Sequence, residues 1–355
     1  MAGKLNSKIK LLFLKEILER YSDEQHVLNS QDIAERLHNE YGVDCERKSI
    51  YSDIDVLLDY GMDIIRTHTP KNGFFLASGD FQLTELRLLS DAVQAAQFIT
   101  VNKTKELLQK IEGLTSIYQA DTMRRQIYIE KRRKSSNESV YYVIDRLDEA
   151  IKKKKKVRVE YSKRKLDEKF AATKETREHV LSPYALIWTD DHYYLVANNE
   201  KYNNLMHLRI DRISRAEILT QKARSFEEVS EYKNNFDPAD YVSKHFQMYS
   251  GKPEMIELCC SNDILEQMLD RFGERVHTRF FDETHFLLRT EAAVTKGLVA
   301  WIMQFGNKMT VRYPKSLVCL VRETAKSILS NYPTEASSEE EDSTQAKAES
   351  EGGAK

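Results

Sequence analysis

The stretch HLRIDRIS, residues 207–214, mixes basic, acidic and aliphatic side chains on a predicted β-strand. Strand alternation divides it into two faces, one with His207, Arg209 and Asp211 and the other with Leu208, Ile210 and Arg212. Because the two aliphatic side chains suit a core, we expect His207 and Arg209 to face outward or into a groove. Asp211 and Arg212 are equally compatible with a structural ion pair.

Aromatic side chains lie on the strands that precede this stretch, namely Tyr184, Trp188, Tyr193 and Tyr194. Arginine beside tyrosine is typical of a surface that pairs with phosphate and stacks on bases. The combination therefore predicts a surface that binds a ligand, and nucleic acid is the ligand class it favours.

Motifs that would indicate an enzyme are missing from the sequence. There is no GxxxxGK[ST], no GxGxxG after a strand, no HExxH and no GxSxG. The adjacent carboxylates Asp190 and Asp191 fall in a predicted turn, where solvated acids are common. We therefore predict a protein that is not an enzyme and has no cofactor and no metal site, and a nucleotide hydrolase is the remaining enzymatic alternative.

The four cysteines are Cys45, Cys259, Cys260 and Cys319, and they form no CxxC pair. Disulfides and a thiolate zinc site are therefore not expected. The N-terminus lacks the apolar segment of a signal peptide, and no apolar run reaches the roughly 18 residues of a membrane span. The sequence predicts a cytoplasmic protein without membrane association.

Charge is distributed unevenly along the 355 residues, although the formal net charge is only −2. The segment 103–169 carries 20 Lys or Arg against 11 Asp or Glu, whereas residues 335–355 carry seven acids and two lysines. Basic clusters can attract phosphate, but a charge run is usually a solvated face. The last segment, 333–355, has the composition of a disordered acidic tail.

Hydrophobic periodicity predicts three short helices followed by a hairpin within residues 1–80. The second helix has Ser30 as its predicted N-cap, and the third buries Ile50, Ile54, Leu57 and Leu58. Asn72-Gly73 is a strong hairpin signal. This order is that of a winged helix-turn-helix, with Lys71 and Asn72 at the tip of the wing.

The predicted third helix presents small and cationic side chains at its N-terminal end: Arg47, Lys48, Ser49, Tyr51 and Ser52. Free N–H groups and the helix dipole favour phosphate at this end, whereas Asp55 and Asp59 lie nearer the other. The polarity fits a recognition helix that enters the major groove of double-stranded DNA. Residues 1–80 carry a net charge of −4, so a winged helix used for protein contacts is the alternative.

The rest of the chain alternates between helical and strand periodicity and predicts an α+β multidomain protein. We expect a helical linker or dimerisation region over 81–150, a small β-barrel over 151–225, a less ordered connector over 226–251 and a ferredoxin-like α+β domain over 252–332.

From residue 8 to 332 the chain resembles bacterial WYL-domain transcriptional regulators. Four stretches carry the resemblance, in the family's order: RKSIYSDIDVLLDYG, SPYALIWTDDHYYLVANN, MHLRIDRIS and GLVAWIMQFGNKMTVRYPKSL. The name-giving tripeptide is Tyr193-Tyr194-Leu195 here, with tyrosine in place of tryptophan. The last stretch is similar to the family's C-terminal WCX-type extension.

The resemblance implies an SH3/Sm-like WYL barrel that senses a nucleotide or single-stranded nucleic acid. On matching motif positions it implies a ligand surface of six residues: Ser182, Tyr184, Tyr194, His207, Arg209 and Arg212. The leading hypothesis is a homodimeric, ligand-responsive regulator that binds double-stranded DNA. The alternative is an accessory protein that binds single-stranded RNA or DNA through the barrel.

Overall fold

The structure is a computed structural model that describes residues 7–69, 71–125, 134–167, 170–230, 232 and 236–332. The chain divides into two compact units, one ending at Tyr141 and the other beginning at Tyr142. Within the described residues, every helix is too short or too polar to cross a membrane.

The first unit begins with α1 (Ser7–Tyr21), α2 (Ser30–Tyr41) and α3 (Arg47–Asp59). Asn29, not Ser30, caps α2: its side chain accepts hydrogen bonds from the backbone N–H groups of Gln31 and Asp32. The Asp32 carboxylate accepts the N–H of Asn29 in return, which completes a capping box. The predicted N-cap is therefore wrong by one residue, because Asn29 is the last residue with an extended backbone.

The three helices enclose one apolar core, to which Leu14, Ile17, Ile33, Ile50 and Ile54 contribute fully buried side chains. Leu58, by contrast, is 43% exposed, so the prediction that it belongs to this core is wrong. It follows Leu57 directly and is turned about 100° away from it around the helix axis.

An antiparallel hairpin of β1 (Asp63–Thr67) and β2 (Gly73–Ser78) follows α3. Leu28 forms a β-bridge with Phe74, which fixes the hairpin to the segment ahead of α2. A Cβ atom on Gly73 would lie 2.4 Å from the carbonyl oxygen of Leu28, so only glycine permits this approach.

Three further helices, α4 (Leu83–Ala95), α5 (Val101–Glu112) and α6 (Ile117–Arg124), complete the first unit. The buried hydroxyl of Ser116, the N-cap of α6, donates to the carboxylate of Asp23 at 2.7 Å. The ring of Tyr118 stacks on that of His26 with centroids 3.5 Å apart. These contacts hold α6 against the segment between α1 and α2. Most of the basic stretch 124–134 lies outside the described residues.

Helix α7 (Val140–Lys152) leads into an antiparallel sheet of five strands. The strands are β3 (Lys155–Leu166), β4 (Ala172–Thr189), β5 (His192–Asn198), β6 (Leu205–Arg209) and β7 (Ile213–Lys222), in the order β6-β5-β4-β3-β7. The first part of β4 pairs with β3 and its last part with β5, with a register shift after Pro183. A 3-10 turn, Ile210–Arg212, joins β6 to β7.

The segment 226–251, predicted to be a less ordered connector, packs on this sheet. It contains a 3-10 turn, Phe226–Glu228, and α8 (Pro238–Lys244), which the Asp237 side chain caps. Val229, Tyr241 and Met248 are buried against the sheet. The prediction is therefore wrong for the described part of the connector, because its aromatic and aliphatic side chains gain an apolar surface to cover.

The last domain consists of β8 (Pro253–Ser261), α9 (Leu265–Phe272), β9 (His277–Phe280), β10 (His285–Ala293), α10 (Lys296–Met303), β11 (Met309–Tyr313) and α11 (Lys315–Ser330). Its antiparallel sheet has the order β11-β8-β10-β9. The β-α-β-β-α-β succession is the one expected for a ferredoxin-like domain. The connector's Phe246 joins the core between this sheet and its helices.

Candidate nucleic-acid interface and ligand face

The N-terminal end of α3 carries the cationic side chains that the sequence predicts to contact DNA. Arg47, Lys48 and Ser52 are exposed, and Ser49 and Tyr51 are partly buried. The Arg47 guanidinium donates to the Tyr51 hydroxyl at 3.4 Å, which lowers the pKa of that phenol.

Arg66 of β1 joins this group, and the sequence analysis missed it. Its guanidinium carbon lies 5.1 Å from the centroid of the Tyr51 ring, on which Arg47 also rests at 5.8 Å. Arg66 is exposed, and its partner in the hairpin register is Phe74. Two guanidinium groups therefore flank one tyrosine at the start of the helix.

The acidic side chains of α3 lie beyond its first turn, although its N-cap residue, Glu46, is itself an exposed acid. Lys10 pairs with Asp53 at 2.5 Å and also contacts the Ser49 hydroxyl. Asp55 and Asp59 are exposed further along the helix. The charge of α3 thus changes from basic to acidic from its first turn to its last, although the domain as a whole is acidic.

At the hairpin, Lys71 and Asn72 are both exposed, as expected for the tip of a wing. The Lys71 ammonium lies 2.5 Å from the Asp32 carboxylate near the start of α2. This pair is solvent-exposed and weak, so a phosphate could compete for the lysine.

The six residues of the predicted ligand surface do not form one open patch. Tyr194 is opposite Arg209 in the β5–β6 register, and Val196 is opposite His207, so these four share a face of the sheet. This is the face on which the connector packs. Ser182 is buried and its hydroxyl accepts the N–H of Arg224, whereas Arg212 is exposed in the 3-10 turn.

His207 lies beneath the connector, where we expected it to face outward or into a groove. Its Nε2 atom is 2.7 Å from the Tyr241 hydroxyl, and its Nδ1 atom is 3.3 Å from the Ser250 hydroxyl. Burial, together with the neighbouring His245, lowers the pKa of His207 to about 4. The imidazole is therefore neutral at physiological pH and serves as a hydrogen-bonding group inside the protein.

Arg209 is held by two partners at the edge of the covered face. Its Nε and Nη2 atoms donate to the Asp211 carboxylate at 3.0 and 2.7 Å, and Nη1 lies 2.7 Å from Nε2 of His192. Burial and the adjacent guanidinium lower the pKa of His192, which fits a neutral ring that accepts this bond. The 3-10 turn after Arg209 bends the chain so that Asp211 can form both bonds.

Tyr184 packs edge-on against Phe226 of the connector, with centroids 5.0 Å apart. Burial raises its pKa to about 12, against a smaller lowering effect of the neighbouring Ser182 hydroxyl. Phe226 and Tyr241 are the partners of this face that the sequence analysis missed. Their signal was the density of aromatic residues in the connector, which a disordered linker would lack.

A cavity of about 590 Å³ opens where the connector meets the edge of β6 and the start of β8. Tyr241, His245, Lys244 and Glu291 form part of its wall. The Lys244 ammonium pairs with Glu291 at 2.8 Å and with Asp240 of the same helix at 2.9 Å. The charges that line it are thus largely compensated.

Comparison with known proteins finds two matching family models in the second unit. Residues 142–218 match the WYL domain and residues 253–329 match the WCX domain. The search of curated proteins gives no match.

Two solved structures are similar to the chain at 15% sequence identity each. One is the proteasome accessory factor B/C (PafBC) of Arthrobacter aurescens, with a TM-score of 0.28 over 94% of this chain. The chain spans about half of that protein, 51% of its length. The other is a CRISPR Cas-related protein, with a TM-score of 0.24. The match covers 70% of this chain and 72% of that protein.

The two family models show that the chain contains a WYL domain, which is followed by a WCX domain.

Proposed function

We propose that the protein is a DNA-binding transcriptional regulator, which contacts double-stranded DNA through α3 and responds to a ligand at its WYL domain. The observation that carries the proposal is the pair of guanidinium groups, from Arg47 and Arg66, on the Tyr51 ring at the N-terminal end of α3. The exposed Lys48 follows Arg47 in the first turn of the helix. Its first turn adds unpaired backbone N–H groups, which favour phosphate. We propose binding, not catalysis, as the activity of the chain.

In this proposal the N-terminal end of α3 enters the major groove and the hairpin follows the backbone. Arg47 and Lys48 would contact phosphates or base edges, Ser49, Tyr51 and Ser52 would complete the contact, and the hairpin tip at Lys71 and Asn72 would rest on an adjacent phosphate. The carboxylates Asp55 and Asp59, about two and about three turns along, would stay away from the backbone.

The WYL domain would supply the response to a ligand, for which we propose a nucleotide or a short single-stranded nucleic acid. Arg209 is the group we expect to bind its phosphate, with Arg212, Ser182, Tyr184, Tyr194 and His207 as the other candidate positions. To bind Arg209, a ligand must either replace the Asp211 carboxylate or accept hydrogen bonds from the guanidinium N–H groups that Asp211 and His192 leave unused. Binding would then shift the population of a homodimer between states that differ in DNA affinity.

The test is the affinity of the full chain for double-stranded DNA as a function of salt. Each phosphate contact contributes about −0.9 to the slope of log K against log salt. We expect Lys48→Ala to make the slope shallower by about 0.9 and Lys15→Ala to leave it unchanged. Lys15 is the matched control because it also lies on a helix of this unit and pairs with Glu19.

A slope near zero for the unsubstituted protein would remove DNA as the partner of α3. If Lys48→Ala and Lys15→Ala reduce the salt slope equally, the attraction to DNA depends only on net charge, and α3 is not the contact surface. If Lys48→Ala retains all nucleic-acid binding and Arg209→Ala abolishes it, the protein is instead an accessory single-strand binder.

A further inference from the structure

The sheet of the WCX domain has one face that its helices do not cover. Ile256 and Leu258 of β8 and Leu288 of β10 point into the core with the helices. Alternation therefore directs Glu257 and Cys259 of β8, and Leu287 and Arg289 of β10, to the opposite face. We call this surface the open sheet face.

Three arginines lie on the open sheet face. Arg279 of β9 pairs with Leu287 of β10 in the strand register. Arg289 of β10 pairs with Glu257 of β8 on one side and with His277 of β9 on the other. Arg312 belongs to the edge strand β11. Against them, Glu257 is 3.4 Å from Arg279, a weak exposed contact.

Other acids near this face are already paired, since Asp282 contacts His285 at 3.0 Å and Glu291 contacts Lys244 at 2.8 Å. Glu291 is thus compensated by a lysine, whereas Asp282, whose partner is a histidine, keeps its negative charge beside the end of β9. The centre of the face is left positive.

Aromatic rings are interleaved with these arginines. The Arg312 guanidinium lies 5.2 Å from the Phe281 ring centroid, although β11 and β9 are the two edges of the sheet. Cys259 and Leu287 between them are 8% and 6% exposed, so long side chains lie over the two central strands. Tyr313, 54% exposed and opposite Glu257, adds a second ring at the β11 edge.

We propose that the open sheet face binds single-stranded nucleic acid, at a site distinct from α3 and from Arg209. Arg279, Arg289 and Arg312 contact phosphates, and Phe281 and Tyr313 stack on unpaired bases. A flat sheet with arginines and exposed rings suits a single strand, whose bases are free to stack, better than a duplex, whose bases are not. The positive centre and the flat groups argue against an apolar protein partner.

The experiment measures binding of the full chain to fluorescein-labelled oligothymidylate and to oligouridylate of the same length, by fluorescence anisotropy over a series of salt concentrations. The test variant is Arg289→Glu with Arg312→Glu. Its matched control is Arg322→Glu with Lys326→Glu, which changes the net charge equally at exposed positions of α11. Preference for one oligonucleotide distinguishes DNA from RNA as the strand bound.

We expect the test variant to weaken binding by roughly 10-fold or more and to make the log-log salt slope shallower by about 1.4, since a single strand contributes about 0.7 per phosphate. The control should change neither value. Phe281→Leu with Tyr313→Leu should weaken binding by at least about 5-fold with the slope retained, because stacking is not ionic.

Three results would overturn the proposal. The first is that the unsubstituted chain binds neither oligonucleotide. The second is that the control variant weakens binding as much as the test variant does. The third is that Arg209→Ala alone abolishes binding while the test variant still binds. A test variant that changes the oligomeric state by light scattering, with oligonucleotide affinity intact, would assign the face to a second copy of the chain. Double-stranded DNA binding by α3 is measured separately and is expected to survive in every variant of this domain.

Discussion

The Nε2 atom of His207 and the hydroxyl oxygen of Tyr241 lie 2.7 Å apart, which joins β6 of the WYL sheet to helix α8 of the connector. Tyr241 is buried and His207 is partly buried, so each supplies a partner for a polar atom that has little access to water. The face that sequence alternation assigned to a ligand is therefore, over much of its area, a contact within the protein.

This burial predicts that the protein is less stable in acid. The pKa of His207 is about 4 in the folded chain and about 6.5 when unfolded, so the unfolded state binds more protons between these values. The stabilisation is complete above about pH 6.5 and is lost as the pH falls to 4, by up to about 3 kcal/mol. Urea unfolding at a series of pH values measures it.

His207→Gln should reduce this acid sensitivity, with His245, whose pKa burial also lowers, leaving a residual slope. His68→Gln, at an exposed position in the other unit, is the control and should behave like the unsubstituted chain. An unchanged pH profile in His207→Gln would contradict the prediction.

The pair of Arg209 and Asp211 should stabilise the fold more than an ordinary surface pair. Its two hydrogen bonds are both short and its side chains are only 24% and 17% exposed. We expect Asp211→Asn to lower the free energy of unfolding by about 1–2 kcal/mol. Glu217→Gln breaks the more exposed Arg158 pair in the same sheet and should cost about 0.5 kcal/mol or less. Equal losses in urea unfolding would refute the distinction.

Arg66 should contribute to DNA binding although it lies outside α3. Because its guanidinium rests on the same ring as that of Arg47, we expect Arg66→Ala to make the salt slope for duplex DNA shallower by about 0.9. Arg20→Ala, an exposed arginine at the end of α1, is the control. If Arg66→Ala and Arg20→Ala bind DNA equally well, β1 takes no part in the interface.

Gly297 in α10 should not tolerate any side chain. A Cβ atom there would lie 2.4 Å from the carbonyl oxygen of Phe246 and 2.7 Å from the Tyr249 ring. Gly297→Ala should therefore destabilise the protein by about 1–3 kcal/mol, as overpacking does. Gly79→Ala, whose Cβ would have its nearest neighbour at 3.9 Å, should unfold at the same urea concentration as the unsubstituted chain.

Local patterns predicted the helices and strands well, because each depends on neighbours within one element. The apolar spacing of α3 and the Asn72-Gly73 turn are local signals of this kind, and the structure has both elements where they were expected. Leu208 and Ile210 are buried, as strand alternation predicted.

Contacts between distant segments could not be predicted in the same way. Nothing near His207 in the sequence indicates that Tyr241 will cover it, and the aromatic residues of the connector do not indicate which surface they will cover. Strand alternation was also applied beyond the end of the strand. The chain leaves the strand at Ile210, and the 3-10 turn that follows brings Asp211 back to Arg209. Arg66 shows the same limit, since only the hairpin's position beside α3 makes it part of the site.

The connector ends in two different hydrophobic cores within a few residues. Tyr241 and Met248 are buried against the WYL sheet, whereas Phe246 packs on Trp301 of the WCX domain with ring centroids 5.0 Å apart. Any ligand that displaces Tyr241 must therefore also disturb the packing of Phe246 in the WCX core. By thermodynamic reciprocity, whatever tightens the WCX domain around Phe246 will lower the affinity of such a ligand by the same factor.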